Sequence, residues 1–380
     1  MSAAVTFDGA PEQGTINFSV GQPSADLLPL AMLQGACERF FAGAQPLELN
    51  YGERQGDVRF REALAAFLGN ATSASLMLTA GISQALDFAC SRLTRPGDTV
   101  FVEEPSYPYS FPIFRDHGLK IIGIPLDGQG MDLDQCEREL AVHRPKLLYT
   151  IPAYNNPTGQ TQSRERRERL VALSRKHGFI IAADEVYQLL HHGAPPPPSF
   201  GTLIEQGNVL SLGSFSKILA PGMRLGWIQT NAELMRIFTA SGALVSGGNF
   251  NHFTSHIVRQ LMEDGELLSF VAHLRSSYAA RAEAMDTALH THLEGIATWQ
   301  KPLGGYFFWL ELPEHIDAEN FQAAARAAGS GFLSGKACST AGGLKNCLRL
   351  SFAHYSVPDI RDGIARLRRA LRAMDEKVIA

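Results

Sequence analysis

The run Ser214-Phe215-Ser216-Lys217-Ile218-Leu219-Ala220-Pro221-Gly222-Met223-Arg224 sets one lysine among small and apolar residues. Lysines are almost never buried without a partner or a task. Desolvation disfavours the ammonium form and frees an amine that can condense with a carbonyl. Ser214 and Ser216 flank the lysine with hydroxyls, and Arg224, seven residues on, carries a guanidinium able to fork onto a phosphate. Alone, Lys217 reads as a surface lysine. The whole fourteen-residue string through Trp227 is hard to explain as a surface loop.

Other groups stand at the ends of apolar runs. Asp184 closes Phe179-Ile180-Ile181-Ala182-Ala183, where an acid is costly unless paired. It suits either a helix N-cap or a carboxylate holding a proton on a pyridine nitrogen, which would make that ring an electron sink. Asn156-Pro157-Thr158-Gly159 is accounted for by turn chemistry, or by an Asn156 amide donating to a cofactor's ring oxygen. Thr79-Ala80-Gly81-Ile82-Ser83 puts glycine before a helix start, where free N–H groups and the helix dipole favour an anion; a simple cap is the alternative. Tyr107 offers a ring at a strand end for stacking on a planar group. Arg349, inside Leu348-Arg349-Leu350-Ser351-Phe352, wants a carboxylate, either from a substrate or from a structural ion pair.

These residues need a scaffold, and the sequence describes one. Short buried strands are expected at Thr99–Glu103, Lys120–Ile124, Leu147–Ile151, Phe179–Ala183 and Val209–Leu212. Helical patterns fall between them at Ser83–Leu93, Ser106–His117, Leu133–Val142 and Ser163–His177. Such alternation predicts an α/β fold, a mainly parallel sheet covered by helices, with ligands at the carboxyl ends of the strands. After about residue 285 the pattern changes. Helix Arg281–His292, strand Gly305–Leu312, helix Ala318–Ala328, strand Leu348–Phe352 and helix Val357–Met374 read as a smaller α+β domain. The expected division is 46–285 for a large domain, with 1–45 and 286–380 forming the small one. Pro195–Pro198 cannot join a helix or central strand and reads as an exposed loop.

Taken together, the set resembles the class I/II aminotransferases, the fold-type I enzymes that use pyridoxal 5′-phosphate. The likeness runs from Gly21-Gln22-Pro23 to the last helix, through Tyr51-Gly52-Glu53-Arg54-Gln55-Gly56, Gly81–Ser83, Tyr107, Asn156–Gly159, Asp184–Tyr187, Ser214–Arg224 and Arg349. It implies a seven-stranded, mainly parallel sheet in the large domain. It implies a Schiff base on Lys217, which also shuttles the proton, and Asp184 on the pyridinium nitrogen. Asn156 and Tyr187 would serve the ring oxygen and Tyr107 would stack on the ring. Gly81, Ile82, Ser83, Ser214, Ser216 and Arg224 would hold the phosphate. Arg349, with Asn156 and Gly21, would take the substrate. Tyr51 would reach the phosphate of a second copy, so the resemblance implies a homodimer with active sites at the interface. The step from Lys217 to Arg224 is similar to the aminoadipate/kynurenine-type branch. The same lineage includes regulators fused to a DNA-binding winged helix, a domain this chain is expected to lack. Two departures, Ile82 for a small polar residue and Ser334-Gly335 for Pro-Gly, remove no catalytic group.

The expected reaction moves an amino group from an α-amino acid to a 2-oxo acid. β- or γ-elimination, replacement or cyclisation on the same cofactor is the competing reading, and a non-catalytic regulator that binds the cofactor is the third. A net charge of −4 with no basic tract argues against nucleic-acid and anionic-membrane partners. Met1–Gly14 lacks a signal's basic and apolar regions, no apolar run of about 18 residues occurs, and five cysteines without metal-ligand spacing suit a cytoplasmic protein. Arg164–Arg169, interrupted by Glu165 and Glu168, reads as a solvated helix face. His191 and His192 read as exposed, while His252 and His256 read as core or surface residues. Gly128-Gln129-Gly130 reads as a turn. Substrate walls are sought in Phe18–Pro23, Arg54, Pro195–Pro198 and Ser246–Phe253.

Overall fold

A computed structural model describes residues 14–379, without the side chains from 375 on. The chain opens with a two-residue strand, β1 (Ile16–Asn17). Helices α1 (Leu30–Gly43) and α2 (Val58–Leu68) precede the main sheet. That sheet holds β2 (Leu76–Thr79), β3 (Thr99–Glu104), β4 (Lys120–Asp127), β5 (Gly130–Met131), β6 (Pro145–Thr150), β7 (Ile180–Asp184), β8 (Val209–Ser214) and β9 (Gly226–Gln229). The spatial order is β2-β9-β8-β7-β6-β3-β4-β5. β4, β3, β6, β7 and β8 are mutually parallel; β9 runs against both its neighbours.

The sheet thus has eight strands rather than seven. The extra one is a two-residue return: β5 pairs with the end of β4 through Leu126–Met131 and Asp127–Gly130, around the Gly128–Gly130 turn. Helices α3 (Ile82–Leu93), α4 (Ser110–Asp116), α5 (Leu133–Val142) and α6 (Arg164–His177) make the crossovers. Their ends follow local chemistry. Asp132 and Ser163 cap α5 and α6 by accepting from N–H groups of the first turn, and Gly178, at φ 78°, ends α6. Helix α4 starts four residues later than the pattern suggests, because the residue before Pro108 is pushed out of the helical region.

Beyond the sheet come α7 (Ala232–Thr239), α8 (Gly242–Gly247), α9 (His252–Glu263) and the 28-residue α10 (Glu266–Leu293). Residues 285 and 286 both lie inside α10, which therefore runs continuously across the expected boundary. A second sheet of order β10-β11-β14-β13 follows, from β10 (Thr298–Trp299), β11 (Phe307–Glu311), β13 (Leu333–Ser334) and β14 (Cys347–Ser351). The short β12 (Ser330–Gly331) pairs in parallel with β1, while α11 (Ala318–Ala327) and α12 (Val357–Ile379) cover this end.

One buried cluster runs through both sheets, joining Phe215 and Leu212 to Tyr306, Phe308 and Leu350. A second lies between the main sheet and α5 and α6, around Phe101, Leu148, Leu170 and Phe179.

Two surface readings change. Arg167 is not on a solvated face: it is 1% exposed, with its guanidinium 3.8 Å from the Glu185 carboxylate. Its nitrogens also donate to the carbonyls of Pro152 (2.9 Å), Pro198 (2.9 Å), Pro197 (3.2 Å) and Gln162 (3.3 Å). A helix inside an α/β layer turns one flank to the sheet, and Arg167 falls on it. The proline loop is exposed at Pro195 and Pro198, as expected, and is tethered through the carbonyls of Pro197 and Pro198. His192 is not exposed either: both its ring nitrogens are buried without a partner among the described residues, and burial pushes its pKa down to about 4. Its ring lies edge-on to Phe352 at 5.5 Å.

Candidate active site

The carboxyl ends of β3, β6, β7 and β8 converge where the second sheet meets the first. β8 ends at Ser214, so the following turn carries Lys217 out over the strand ends. Its Nζ donates to the Gly21 carbonyl at 2.7 Å and stands 5.3 Å from the centre of the Tyr306 ring. Burial first, then the nearby Arg349 charge, pushes the amine down to about 8, and Asp184 opposes them. Lys217 is thus an amine with a substantial neutral fraction near pH 8.

Asp184, at the end of β7, is 5% exposed. Its Oδ2 accepts from Tyr149 Oη at 2.8 Å and its Oδ1 from Val186 N at 3.3 Å. Those donors favour the ionised form, but burial outweighs them and lifts the carboxyl to about 6. A cation beside it would restore the anion.

Arg349 sits in β14 opposite Trp309 of β11 and is 3% exposed. Its Nη1 donates to Asn156 Oδ1 at 2.8 Å and its Nη2 to the Ser19 carbonyl at 2.7 Å, with the guanidinium 4.1 Å over the Phe307 ring. Its Nε is buried and has no partner among the described residues. Among the described residues, no carboxylate is one of its hydrogen-bond partners. A buried guanidinium with an idle donor fits an incoming anion. Gly21 lies against it: a side chain there would meet Phe307 at 3.2 Å and Arg349 Nη2 at 3.8 Å.

The β2–α3 turn forms the other end. Gly81, at φ 88°, is the N-cap of α3 and supplies no side-chain cap, so first-turn N–H groups including those of Ile82 and Ser83 are left for an external acceptor. Arg224 Nη2 donates to the Ala80 carbonyl at 2.8 Å, and a Cβ on Gly81 would come within 3.0 Å of that same nitrogen. Ser214 Oγ accepts from Ser216 N (3.0 Å) and bonds Ser216 Oγ (2.9 Å). Two hydroxyls, a guanidinium and an uncapped helix start are the donor set a phosphate requires.

Tyr107 and Tyr187 complete the walls. Tyr107 lies in the fields of Asp184, Arg349 and Arg224 at once. Tyr187, 3% exposed, packs against Tyr306 at 5.3 Å and Phe307 at 5.9 Å. The fold therefore gathers Gly21, Gly81, Ile82, Tyr107, Asn156, Asp184, Tyr187, Ser214, Ser216, Lys217, Arg224 and Arg349 around one region, with Ser83 exposed on the first turn of α3. Tyr51 is not gathered: it is 82% exposed, as Leu47, Leu49, Phe250 and Phe253 are exposed too, and its neighbour Gly52 lies against Gly248 and His252. Arg54 is also exposed. Pro195, Pro196 and Pro198 line a separate cleft with Glu185, Ser211, Trp227 and Arg275, which of the cofactor candidates only Ser214 borders.

Sequence reasoning overlooked Tyr149, Tyr306 and Phe307; Ser19, whose carbonyl holds Arg349, lies within the Phe18–Pro23 wall it named. Only Tyr149 left a signal. It stands one residue before the end of β6, in register with Ala182 of β7, two residues before Asp184 on that strand's same face.

Residues 13–367 match the family model for aminotransferase class I and II. The aromatic-amino-acid aminotransferase 1 of Thermococcus litoralis is 32% identical over 367 residues, covering 94% of this chain and 88% of that protein. A multiple substrate aminotransferase from Thermococcus profundus superposes with a TM-score of 0.90 at 30% identity, covering 96% and 93% of the two chains. The α-aminoadipate aminotransferase of Thermus thermophilus, complexed with N-(5′-phosphopyridoxyl)-L-leucine, superposes at 0.87 with 29% identity over 95% and 93%.

Proposed function

Because this chain belongs to the class I and II aminotransferases, we propose that its pocket binds pyridoxal 5′-phosphate and that Lys217 serves the transfer of an amino group from an α-amino acid to a 2-oxo acid. One observation carries the reading. The Lys217 amine and the Arg349 guanidinium meet at Gly21: its carbonyl holds the amine, a side chain on it would come within 3.8 Å of Arg349 Nη2, and the Arg349 charge acts on the amine. An amino acid whose carboxylate sits on Arg349 therefore has its Cα near the one amine pushed toward neutrality.

When bound, pyridoxal phosphate supplies an aldehyde that condenses with amines and a protonated ring that takes up the electron pair released at Cα. The chain does the rest. Lys217 Nζ holds and returns the proton that leaves Cα. Asp184 stays ionised beside a ring N–H cation, and Tyr149 fixes its orientation. Asn156 uses its carbonyl oxygen on Arg349, which leaves its NH2 free to donate to the ring oxygen; Tyr187 is the second donor there. Tyr107 covers the ring face. Gly81, Ile82, Ser83, Ser214, Ser216 and Arg224 hold the phosphate.

We place Tyr51 on the phosphate of a second copy, in a homodimer formed through the exposed Leu47, Leu49, Phe250 and Phe253. The division into 46–285 and 1–45 with 286–380 then leaves α10 as the shared spine. The five free thiols suit the reducing cytoplasm. No helix among the described residues is long and apolar enough to cross a membrane.

The test is isotopic. Purified protein with pyridoxal phosphate, a ¹⁵N-labelled amino acid panel and 2-oxo acids should yield ¹⁵N in the acceptor by mass spectrometry. Ammonia release with no acceptor present would instead favour elimination. A second result concerns Arg349. Arg349→Lys keeps the charge but loses the fork and the Asn156 and Ser19 links. One charge-assisted hydrogen bond lost is about 1.5–3 kcal/mol, hence roughly a 10–100-fold rise in KM for both substrates. Cofactor affinity should stay within a few-fold, checked by titration of the apoprotein.

A further inference from the structure

β3 ends in two acids that serve different neighbours. Glu104 accepts from Thr340 N (2.8 Å) and Oγ1 (2.7 Å). Glu103 is 1% exposed and lies on the face of the sheet away from Asp184, with Thr150. Its Oε1 accepts from Thr150 Oγ1 at 2.5 Å; its Oε2 accepts from Ile151 N at 2.9 Å and Asn155 Nδ2 at 2.7 Å. No cation pairs with it among the described residues; the charge that acts on it is Asp184, of like sign. Burial consequently pushes it up to about 7. A buried carboxyl of this kind is a costly placement that packing does not need.

What it does locally is legible. Asn155 uses its NH2 on Glu103 and its Oδ1 on Thr158, accepting from N at 3.1 Å and Oγ1 at 2.9 Å. Its backbone closes the same loop, through Gly159 N to Asn155 O at 2.7 Å and Asn155 N to Gln160 O at 2.8 Å. The next residue, Asn156, is the one whose Oδ1 holds Arg349 Nη1.

We propose that Glu103 is a positioning residue for recognition of the substrate carboxylate: it anchors Asn155, Asn155 anchors the 151–159 loop, and that loop delivers Asn156 to Arg349. The proposal rests on the reading of Arg349 as the carboxylate's partner.

The geometry separates hydrogen bonding from charge. A glutamine at 103 can place its oxygen where Oε2 accepts from Ile151 and Asn155, and its NH2 toward Thr150 Oγ1, a hydroxyl able to accept. Leucine can do neither. Glu103→Gln should leave KM for amino acid and 2-oxo acid within about threefold, while Glu103→Leu raises both about tenfold or more and moves kcat less, as expected for one hydrogen bond lost from the carboxylate clamp. Asn155→Ala keeps Glu103 and should repeat the leucine result, which covers the case of a leucine variant that does not fold.

Calorimetric binding of 3-phenylpropionate, a carboxylate with no amine, to the cofactor-loaded protein gives a readout apart from turnover. It should weaken in Glu103→Leu and Asn155→Ala and persist in Glu103→Gln. If Arg349→Lys does not weaken that binding, the reading of Arg349 is lost. If Arg349→Lys weakens it while Glu103→Leu and Asn155→Ala do not, the role given to Glu103 is overturned and Arg349 stands. A Glu103→Gln variant as impaired as the leucine one would also overturn it, because charge rather than loop geometry would then matter.

Discussion

Lys217→Ala is expected to keep its fold and lose amino transfer by about 10⁴-fold or more, since the substitution removes both a nucleophile and the group that moves the proton at Cα. The fold should survive because the amine's one hydrogen-bond acceptor is the Gly21 carbonyl, and an ordinary hydrogen bond is worth about 1 kcal/mol. Lys217→Arg should fail equally, because a guanidinium stays charged at any working pH and cannot serve as a neutral amine. The pH dependence adds a readout that does not involve turnover. With the amine pushed down to about 8, the neutral fraction rises with pH below that value and levels above it. The rate at which apoprotein captures pyridoxal phosphate should therefore climb about tenfold per pH unit up to about 8 and then flatten. An ordinary lysine would continue rising toward about 10.4. Arg349 is the second-largest cause of the lowering and Asp184 opposes it. Arg349→Leu should accordingly move the break upward and Asp184→Asn should move it downward. A break near 10 in the wild-type protein would show that Lys217 is not desolvated as its surroundings require.

Most of the scaffold was legible because it follows from local rules. β3, β6, β7 and β8 were readable as apolar runs, for strands covered on both faces lack alternation and stand out by hydrophobicity alone; β4, largely half-buried, was readable from its Ile121, Ile122 and Ile124. β2 and β9 were not. Leu76–Thr79 and Gly226–Gln229 are four residues each, and the antiparallel pairing that makes them strands comes from elsewhere in the chain. The site was legible at the groups that break an apolar run, Asp184 and Arg349, and at Lys217. It was illegible at groups whose role depends on partners far along the chain. Glu103 is one of two adjacent acids, and nothing local says that it turns inward to the 151–159 loop while Glu104 turns to Thr340. Arg167 is one of four arginines in six residues, and its spacing matches a solvated helix. Only the register of α6 against β7 selects it for burial beside Glu185.

That burial makes Arg167 a strong stability lever outside the pocket. Replacing it with methionine fills similar volume but leaves Glu185, itself buried, without a cation. Burial and Arg167 act on Glu185 in opposite directions, with burial ahead, while Ser211 Oγ and Phe200 N donate to its carboxylate. Removing one partner of a buried pair is worth about 3–5 kcal/mol in destabilisation. At about 2.1 cal/mol/K per residue, a chain of this length should lose roughly 4–6 °C in Tm by scanning calorimetry. The carbonyls of Pro152, Pro197 and Pro198 also lose a donor, so the proline loop should become a preferred site of limited proteolysis. Glu185→Gln tells the two contributions apart. If the bare carboxylate dominates, Arg167→Met combined with Glu185→Gln should recover much of the lost Tm, a coupling of about 1–3 kcal/mol in a double-mutant cycle. If the double variant is no more stable than Arg167→Met alone, the carbonyl links rather than the ion pair hold α6, the proline loop and the turn before Asn155 together.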